Sequence, residues 1–416
     1  MSQSMIYSNK GAFFIENVPV IQIAEDYGTP AYVYSKKIIE NTYTIFKESF
    51  HKLDPLICFA VKANSNIAIL NLLARHGAGF DIVSGGELKR IIAAKGDPKK
   101  VVFSGIGKSI EEIGLAISHN ILAFNVESEG ELYRIQSVAK SLNKKAAISI
   151  RVNPNVDAKT HPYISTGLKD NKFGVDENQS IKLYQLAKDM DSIDIKGIDC
   201  HIGSQITEIE PFIDSTKKLI SLIDHLKTLG INIEHFDIGG GLGINYKDES
   251  PPSFTDYAVA IDQIIGNRKL KVILEPGRSL IGKAGALLTN LEYIKEGSSK
   301  NFAIVDAAMN DLMRPSLYDA YHGIINLNTH QSEQKEYDIV GPVCETGDFF
   351  GKKRLLSIKD GDLLAVLDVG AYGMSMSSNY NSRPRAIELL IDNNKVHVIR
   401  ERETFDHLIM GESILP

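Results

Sequence analysis

Several residues in this chain combine chemical type and spacing in ways that suit a small charged ligand. Lys62 stands in FAVKAN, where an apolar run meets polar sequence. At the edge of a low-dielectric site an ammonium is destabilised, and the neutral amine can then condense with an aldehyde. A lone lysine can equally snorkel to water from such a place. His201 and Ser204 lie in CHIGSQ, beside a Gly-Ser turn. An imidazole face there can stack on a planar ring and the hydroxyl can bond a phosphate, although a strand histidine also serves as a satisfied structural group. DIGGGLG places Gly239, Gly240, Gly241 and Gly243 together. Glycines let backbone approach a ligand and turn N–H groups inward, which suits an anion, but many tight turns look the same. In EPGRS, Glu275 and Arg278 flank Pro276 and Gly277. A carboxylate there can keep a pyridine nitrogen protonated, and a guanidinium can clamp a phosphate or carboxylate in two-pronged geometry. A surface salt bridge would explain either residue alone.

These segments need elements to hold them. From about residue 55, short β-rich runs alternate with longer amphipathic stretches, the pattern of βα units on a parallel sheet. Eight runs qualify, at 55–63, 79–84, 101–105, 121–126, 146–154, 195–203, 234–241 and 271–278. Helical stretches lie between them at 66–77, 127–142 and 210–230. In the last, Phe212, Leu219, Leu222, Ile223 and Leu226 form one apolar stripe, and Gly230 supplies a stop. Eight units in this length match a (β/α)8 barrel, whose active site lies at the C-terminal strand ends and whose phosphate sites use the loops after strands seven and eight. An open doubly wound sheet is the competing layout, but no GxGxxG turn follows the first strand.

After residue 280 the rhythm becomes β-rich with GD and DNN turns, pointing to a mostly antiparallel domain. AFFIENVPV near the start has strand character and is expected to join it. The expected α/β architecture is a barrel over 36–280 and a β domain over 281–416, joined by an N-terminal strand within 1–35. The long polar connection after the fifth strand, carrying Lys159, His161 and Lys172, is expected to be a mobile element over the site.

At 416 residues with 43% hydrophobic and 24% charged residues, the chain reads as a two-domain globular protein. Its net charge of -6 offers no basic field for nucleic acid. Cys58, Cys200 and Cys344 form no CxxC pair, which suits a reducing compartment. The N-terminus is not of signal-peptide type, and no apolar run reaches the roughly 20 residues of a membrane span, so a cytoplasmic location is expected. No metal-ligand set is expected. A lysine for an aldehyde, glycines and serine for a phosphate, glutamate for a ring nitrogen and histidine for a ring face jointly describe pyridoxal phosphate.

AVKAN, HIGSQ, GGGLG, EPGRS, CETGD and GAYG occur in the order and rough spacing found in diaminopimelate decarboxylases. The chain thus resembles that family, part of the alanine-racemase-like, fold type III group of pyridoxal-phosphate enzymes, from about residue 11 to 410. FDIVSGGEL, VVFSGIGK and HPYISTGLKDNKFG are similar as well. The resemblance implies that Lys62 carries the cofactor, His201 stacks on its ring and Glu275 binds the pyridine nitrogen. It places Ser204, Gly240, Gly241, Gly277 and Arg278 around the phosphate, with Arg278 also near the substrate carboxylate. It gives Arg314 and Tyr318, in MRPSLY, to the distal end of the substrate. Cys344 becomes the proton donor to the carbanion, Glu345 a clamp on the distal amine, and Tyr372 a shared contact of substrate and cofactor. It also implies a homodimer in which Cys344 and Glu345 complete the partner's site.

Taken singly, Cys344 would be a small buried hydrophobe, MRPSLY a turn and AYG a strand end. A substrate with both an amine and a carboxylate at its distal end fits a set holding Glu345, Arg314 and Arg278, because ornithine or arginine would leave an arginine without its partner. A decarboxylase for ornithine, arginine or carboxynorspermidine is the nearest rival reading. A racemase of this group would keep an arginine, not Glu275, at the ring nitrogen. A non-catalytic pyridoxal-phosphate protein would usually lack the β domain or the cysteine motif.

Overall fold

The structure, a computed structural model, describes residues 5–157, 172–329 and 333–416. The expected mobile connection lies mainly outside these residues, Lys159 and His161 included. The chain divides into two compact units, one of residues 42–245 and 249–280, the other of residues 1–41, 246–248 and 281–416.

The first unit is a closed barrel of eight parallel strands. In chain order they are Leu56–Ala60, Gly79–Ile82, Val101–Phe103, Ala123–Val126, Ala146–Arg151, Ile193–Asp199, His235–Asp237 and Lys271–Leu274. The last pairs with the first, Ile273 opposite Leu56 and Leu274 opposite Ile57, so no edge is left. The strands are apolar on both faces because helices cover the outside while Phe59, Phe80, Phe103, Phe124 and Phe236 are among the largest fully buried side chains. Helices start where polar side chains cap them: Asn66, Ser84, Ser109, Ser128, Asp176 and Ser253 each accept a backbone N–H of the first turn. The long helix Glu210–Thr228 buries Phe212, Leu219, Leu222, Ile223 and Leu226, the stripe expected from its sequence. These are the eight units the sequence calls for, with one adjustment. Several strands end before the motif that follows: Lys62 sits in a 3-10 turn, Val61–Ala63, rather than in the strand.

The second unit is built on a nine-stranded, mostly antiparallel sheet. Its long central strand, Gly285–Glu296, pairs antiparallel with Ala31–Ser35, which in turn pairs with Ile387–Asp392. Ala31–Ser35 is therefore the N-terminal strand that joins the β domain. AFFIENVPV does not enter this sheet. It forms a small antiparallel sheet with Ile6–Asn9 and buries Ile15, Val18 and Val20 against Ala31, Val33, Ala286 and Leu389.

Candidate active site

The βα loops of the barrel gather eight of the expected residues at its C-terminal end. Lys62 Nζ lies 2.6 Å from Asp81 Oδ2, and the Asp81 side chain is fully buried at the end of the second strand. The amine thus has a counter-ion in place at the edge of the site, which its local sequence does not show. His201 follows the sixth strand and its Nδ1 accepts the Gly240 N–H at 3.2 Å, which fixes the ring and leaves Nδ1 unprotonated. Loss of water, then the Arg151 and Lys62 cations, hold this imidazole well below its ordinary pKa, so it is neutral.

The glycines answer first to backbone geometry. A Cβ on Gly240 would collide with the Glu275 carbonyl, and one on Gly241 with the Gly203 carbonyl. Gly239 and Gly241 also have φ of +74° and +106°. The loops after strands six, seven and eight therefore pass within contact distance of each other. Arg278 Nη2 donates to Ser204 Oγ at 3.1 Å, joining two of those loops through residues the sequence proposes as phosphate partners. Gly277 lies between this arginine and Glu275, its carbonyl bonded to the Leu280 N–H at 3.1 Å.

Glu275 is buried, and its Oε1 accepts from Ser104 Oγ at 3.3 Å and Asn125 Nδ2 at 3.5 Å. Burial, followed by Asp237, Asp81 and Asp199, pushes its carboxyl well above the usual range, against the pull of Lys62. A carboxylate in that position is short of a cation, which a protonated pyridine nitrogen supplies. The donor set thus fits pyridoxal phosphate: an amine for its aldehyde, a carboxyl for its ring nitrogen, and a hydroxyl with a guanidinium for its phosphate.

The other five expected residues belong to the second unit. Arg314 opens a short helix, Arg314–Tyr318, where the sequence alone suggests only a turn. It is buried, lies 4.8 Å from the centre of the Tyr246 ring, and meets His322 Nε2 at 2.8 Å. His322 Nδ1 lies 2.8 Å from the Leu367 carbonyl, so it bears the proton and Nε2 accepts from Arg314. Tyr318 is half-buried. Cys344 and Glu345 are exposed on a turn organised by Asp348, whose carboxylate accepts the Val343 N–H at 2.8 Å and the Met309 N–H at 2.7 Å. Cys344 is thus not the buried hydrophobe its type suggests. Its own N–H donates to Asn381 Oδ1 at 3.0 Å. Tyr372 has a φ of +57°, a left-handed conformation uncommon outside glycine.

Sequence reasoning missed several groups at these sites. Asp81, Asp199 and Asp237 are buried carboxylates on barrel strands; for Asp81, in the otherwise apolar GFDI, the signal is detectable because a buried charge needs a reason. Arg151 ends the fifth strand and pairs with Glu127 at 3.1 Å and Asp199 at 3.9 Å. His322 carries no comparable signal in its sequence context.

The pyridoxal binding domain of pyridoxal-dependent decarboxylases matches residues 36–282. The chain is 54% identical to the diaminopimelate decarboxylase of Vibrio cholerae over 411 residues, covering 99% of each. It superposes with a TM-score of 0.95 on the M. jannaschii diaminopimelate decarboxylase in co-complex with L-lysine, at 43% identity over 100% of this chain and 99% of that one. The Helicobacter pylori diaminopimelate decarboxylase complexed with L-lysine gives a TM-score of 0.91 at 45% identity, covering 94% of this chain and 98% of that one. The chain therefore belongs to the diaminopimelate decarboxylase family of pyridoxal-dependent decarboxylases.

Proposed function

We propose that the protein decarboxylates meso-2,6-diaminopimelate to L-lysine and CO2, the last step of lysine biosynthesis, and does so as a cytoplasmic homodimer. The observation that carries this reading is the convergence of Lys62, His201, Glu275, Ser204 and Arg278 at one end of a closed barrel, in a chain whose relatives bear that activity's name. Pyridoxal 5'-phosphate is the cofactor. When bound, it supplies an electron sink for the pair left behind as a carboxylate departs as CO2.

The chain's own groups do the rest. Lys62 would hold the cofactor through its amine, which condenses with an aldehyde. Neutral His201 covers one face of the ring. Glu275 keeps the ring nitrogen protonated, while Ser204, Gly240, Gly241, Gly277 and Arg278 anchor the phosphate. Arg314 and Tyr318 take the distal carboxylate, Glu345 takes the distal ammonium, and Tyr372 contacts substrate and cofactor. Cys344 delivers the proton from Sγ to Cα. Cys344 and Glu345 act in the partner's site, and their exposure on this chain supports that assignment. The three free thiols and the absence, among the described residues, of any helix long and apolar enough to cross a membrane are in keeping with the cytoplasm.

Borohydride reduction of the holoprotein followed by peptide mapping tests the core of this reading. The reduced cofactor should be fixed to the peptide carrying Lys62. Recovery on any other lysine would overturn the site assignment.

A further inference from the structure

Three buried carboxyls crowd one side of the barrel's C-terminal end. Asp199 and Asp237 end the sixth and seventh strands and Glu275 follows the eighth. One oxygen from each lies within 4.8 Å of the other two. Like charges this close and this dry do not all ionise, so the set holds protons. Asp199 has a cation of its own, Arg151 Nε at 3.9 Å.

Asp237 and Glu275 are served differently. Oε1 of Glu275 faces two neutral donors, Ser104 Oγ at 3.3 Å and Asn125 Nδ2 at 3.5 Å, and Asn125 Nδ2 also binds Ser104 Oγ at 3.0 Å. That surrounding suits an anion. Asp237 Oδ1 accepts the Gly239 N–H at 2.9 Å, whereas its buried Oδ2 meets no donor. Asn125 Oδ1, also buried, likewise meets none. A proton on Asp237 Oδ2 would turn an acceptor without a donor into a donor among acceptors.

We propose that Asp237 is a positioning residue that keeps this proton, so that Glu275 and not Asp237 carries the negative charge presented to the ring nitrogen of the cofactor. Asp237 then donates from Oδ2 within the pair, and Ser104 and Asn125 hold the ionised Glu275 in place. The inference rests on the reading of this barrel end as the cofactor site. Other groups face the pair from every side: Asp81 from the second strand, Asp199 from the sixth, Cys58 from the first, and the Lys62 cation beyond it. Burial and these carboxyls raise both members, Asp237 up to about 7. A ring-nitrogen cation beside Glu275 would favour ionisation of Glu275 over Asp237, because an opposite charge favours the ionised form of the group it touches.

The test compares full-length wild type, Asp237→Asn, Asp237→Ala and Glu275→Gln, each checked for cooperative melting. Each is titrated with pyridoxal phosphate from about pH 6 to about pH 9, reading the dissociation constant and the visible absorbance of the bound cofactor. Asparagine donates from the same place and cannot ionise, so Asp237→Asn should stay within about threefold of wild type and lose the weakening that wild type should show as pH rises. Asp237→Ala and Glu275→Gln should each weaken binding about tenfold or more. A folded Asp237→Asn that binds more than about tenfold weaker would show that Asp237 acts as an anion, and a folded Asp237→Ala that binds like wild type would show that it does nothing; either overturns the proposal. If the alanine variant does not fold, the asparagine variant decides alone. Unchanged binding by Glu275→Gln would bring down the site assignment, and this inference with it.

Discussion

Glu275 shows most plainly what a single residue in this chain can and cannot reveal. Its type and its place in EPGRS mark it as a partner for a ring nitrogen, but the carboxyls that set its charge, Asp81, Asp199 and Asp237, come from three other strands. Their proximity depends on closure of the barrel, which no local pattern encodes. Glu87, nearby in the chain from Asp81, titrates for similar reasons. Its Oε2 accepts the Val83 N–H at 2.7 Å, and burial pushes its carboxyl from 4.5 up to about 7. An acid whose folded pKa lies above its unfolded one contributes stability that is fully present below the unfolded pKa and lost as pH rises through the folded one. Wild type should therefore lose stability relative to Glu87→Gln between about pH 5 and about pH 8, by roughly 1–2 kcal/mol after solvent screening. Melting temperatures across that range measure it. A difference that does not change with pH would show that Glu87 does not carry this titration.

At the scale of elements, the barrel strands were legible because parallel strands buried on both faces read as unbroken apolar runs. The boundaries were not. FAVKAN stays apolar past Ala60 because Val61 and Ala63 are buried in the turn, so burial continues where pairing stops. In the β domain, Phe349–Leu356 carries a weak sequence signal because it is an edge strand with Lys352, Lys353 and Arg354 at its middle. Charges there blunt edge-to-edge pairing and also hide the strand from a hydrophobic reading. Ile387–Asp392, IELLID, has no strict alternation, because Leu389, Leu390 and Ile391 run together, so periodicity does not identify it.

The connections between barrel strands carry a further dependence. Lys108, after the third strand, is buried, with Nζ 2.5 Å from Glu131 Oε1 and 3.0 Å from the Asn125 carbonyl. It thereby fastens the loop after strand three to strand four and to the helix that follows. Removing one partner of such a pair leaves the other charge buried alone, so Lys108→Met should lower the free energy of unfolding by about 3–5 kcal/mol. Adding Glu131→Gln should recover part of that loss. Urea denaturation of the two variants measures both effects, and an unmoved midpoint for Lys108→Met would remove the pair from the account of barrel stability.

At the scale of the whole molecule, the chain supplies both halves of the proposed chemistry, the cofactor set from its barrel and the proton donor from its β unit. The homodimer claim is that each site draws these from different protomers. Cys344→Ala should keep the visible band of the bound cofactor while losing most turnover, and Lys62→Ala should lose both. Mixing and reassociating the two variants should then restore about a quarter of wild-type activity, because about half of the dimers pair unlike chains and each such dimer holds one intact site. No recovery in mixtures shown to have exchanged subunits would mean that each site is complete within one chain.

Substrate identity remains the central claim, and it rests on residues of both signs: Arg314, buried and fixed by His322, and Glu345, exposed on the Asp348 turn. Release of CO2 and L-lysine from meso-diaminopimelate, measured with added pyridoxal phosphate beside ornithine, arginine and L-alanine, tests it most directly. The account predicts lysine from diaminopimelate and no turnover of the other three. Decarboxylation of ornithine or arginine in preference to diaminopimelate would contradict it and would mean that Arg314 does not receive a distal carboxylate.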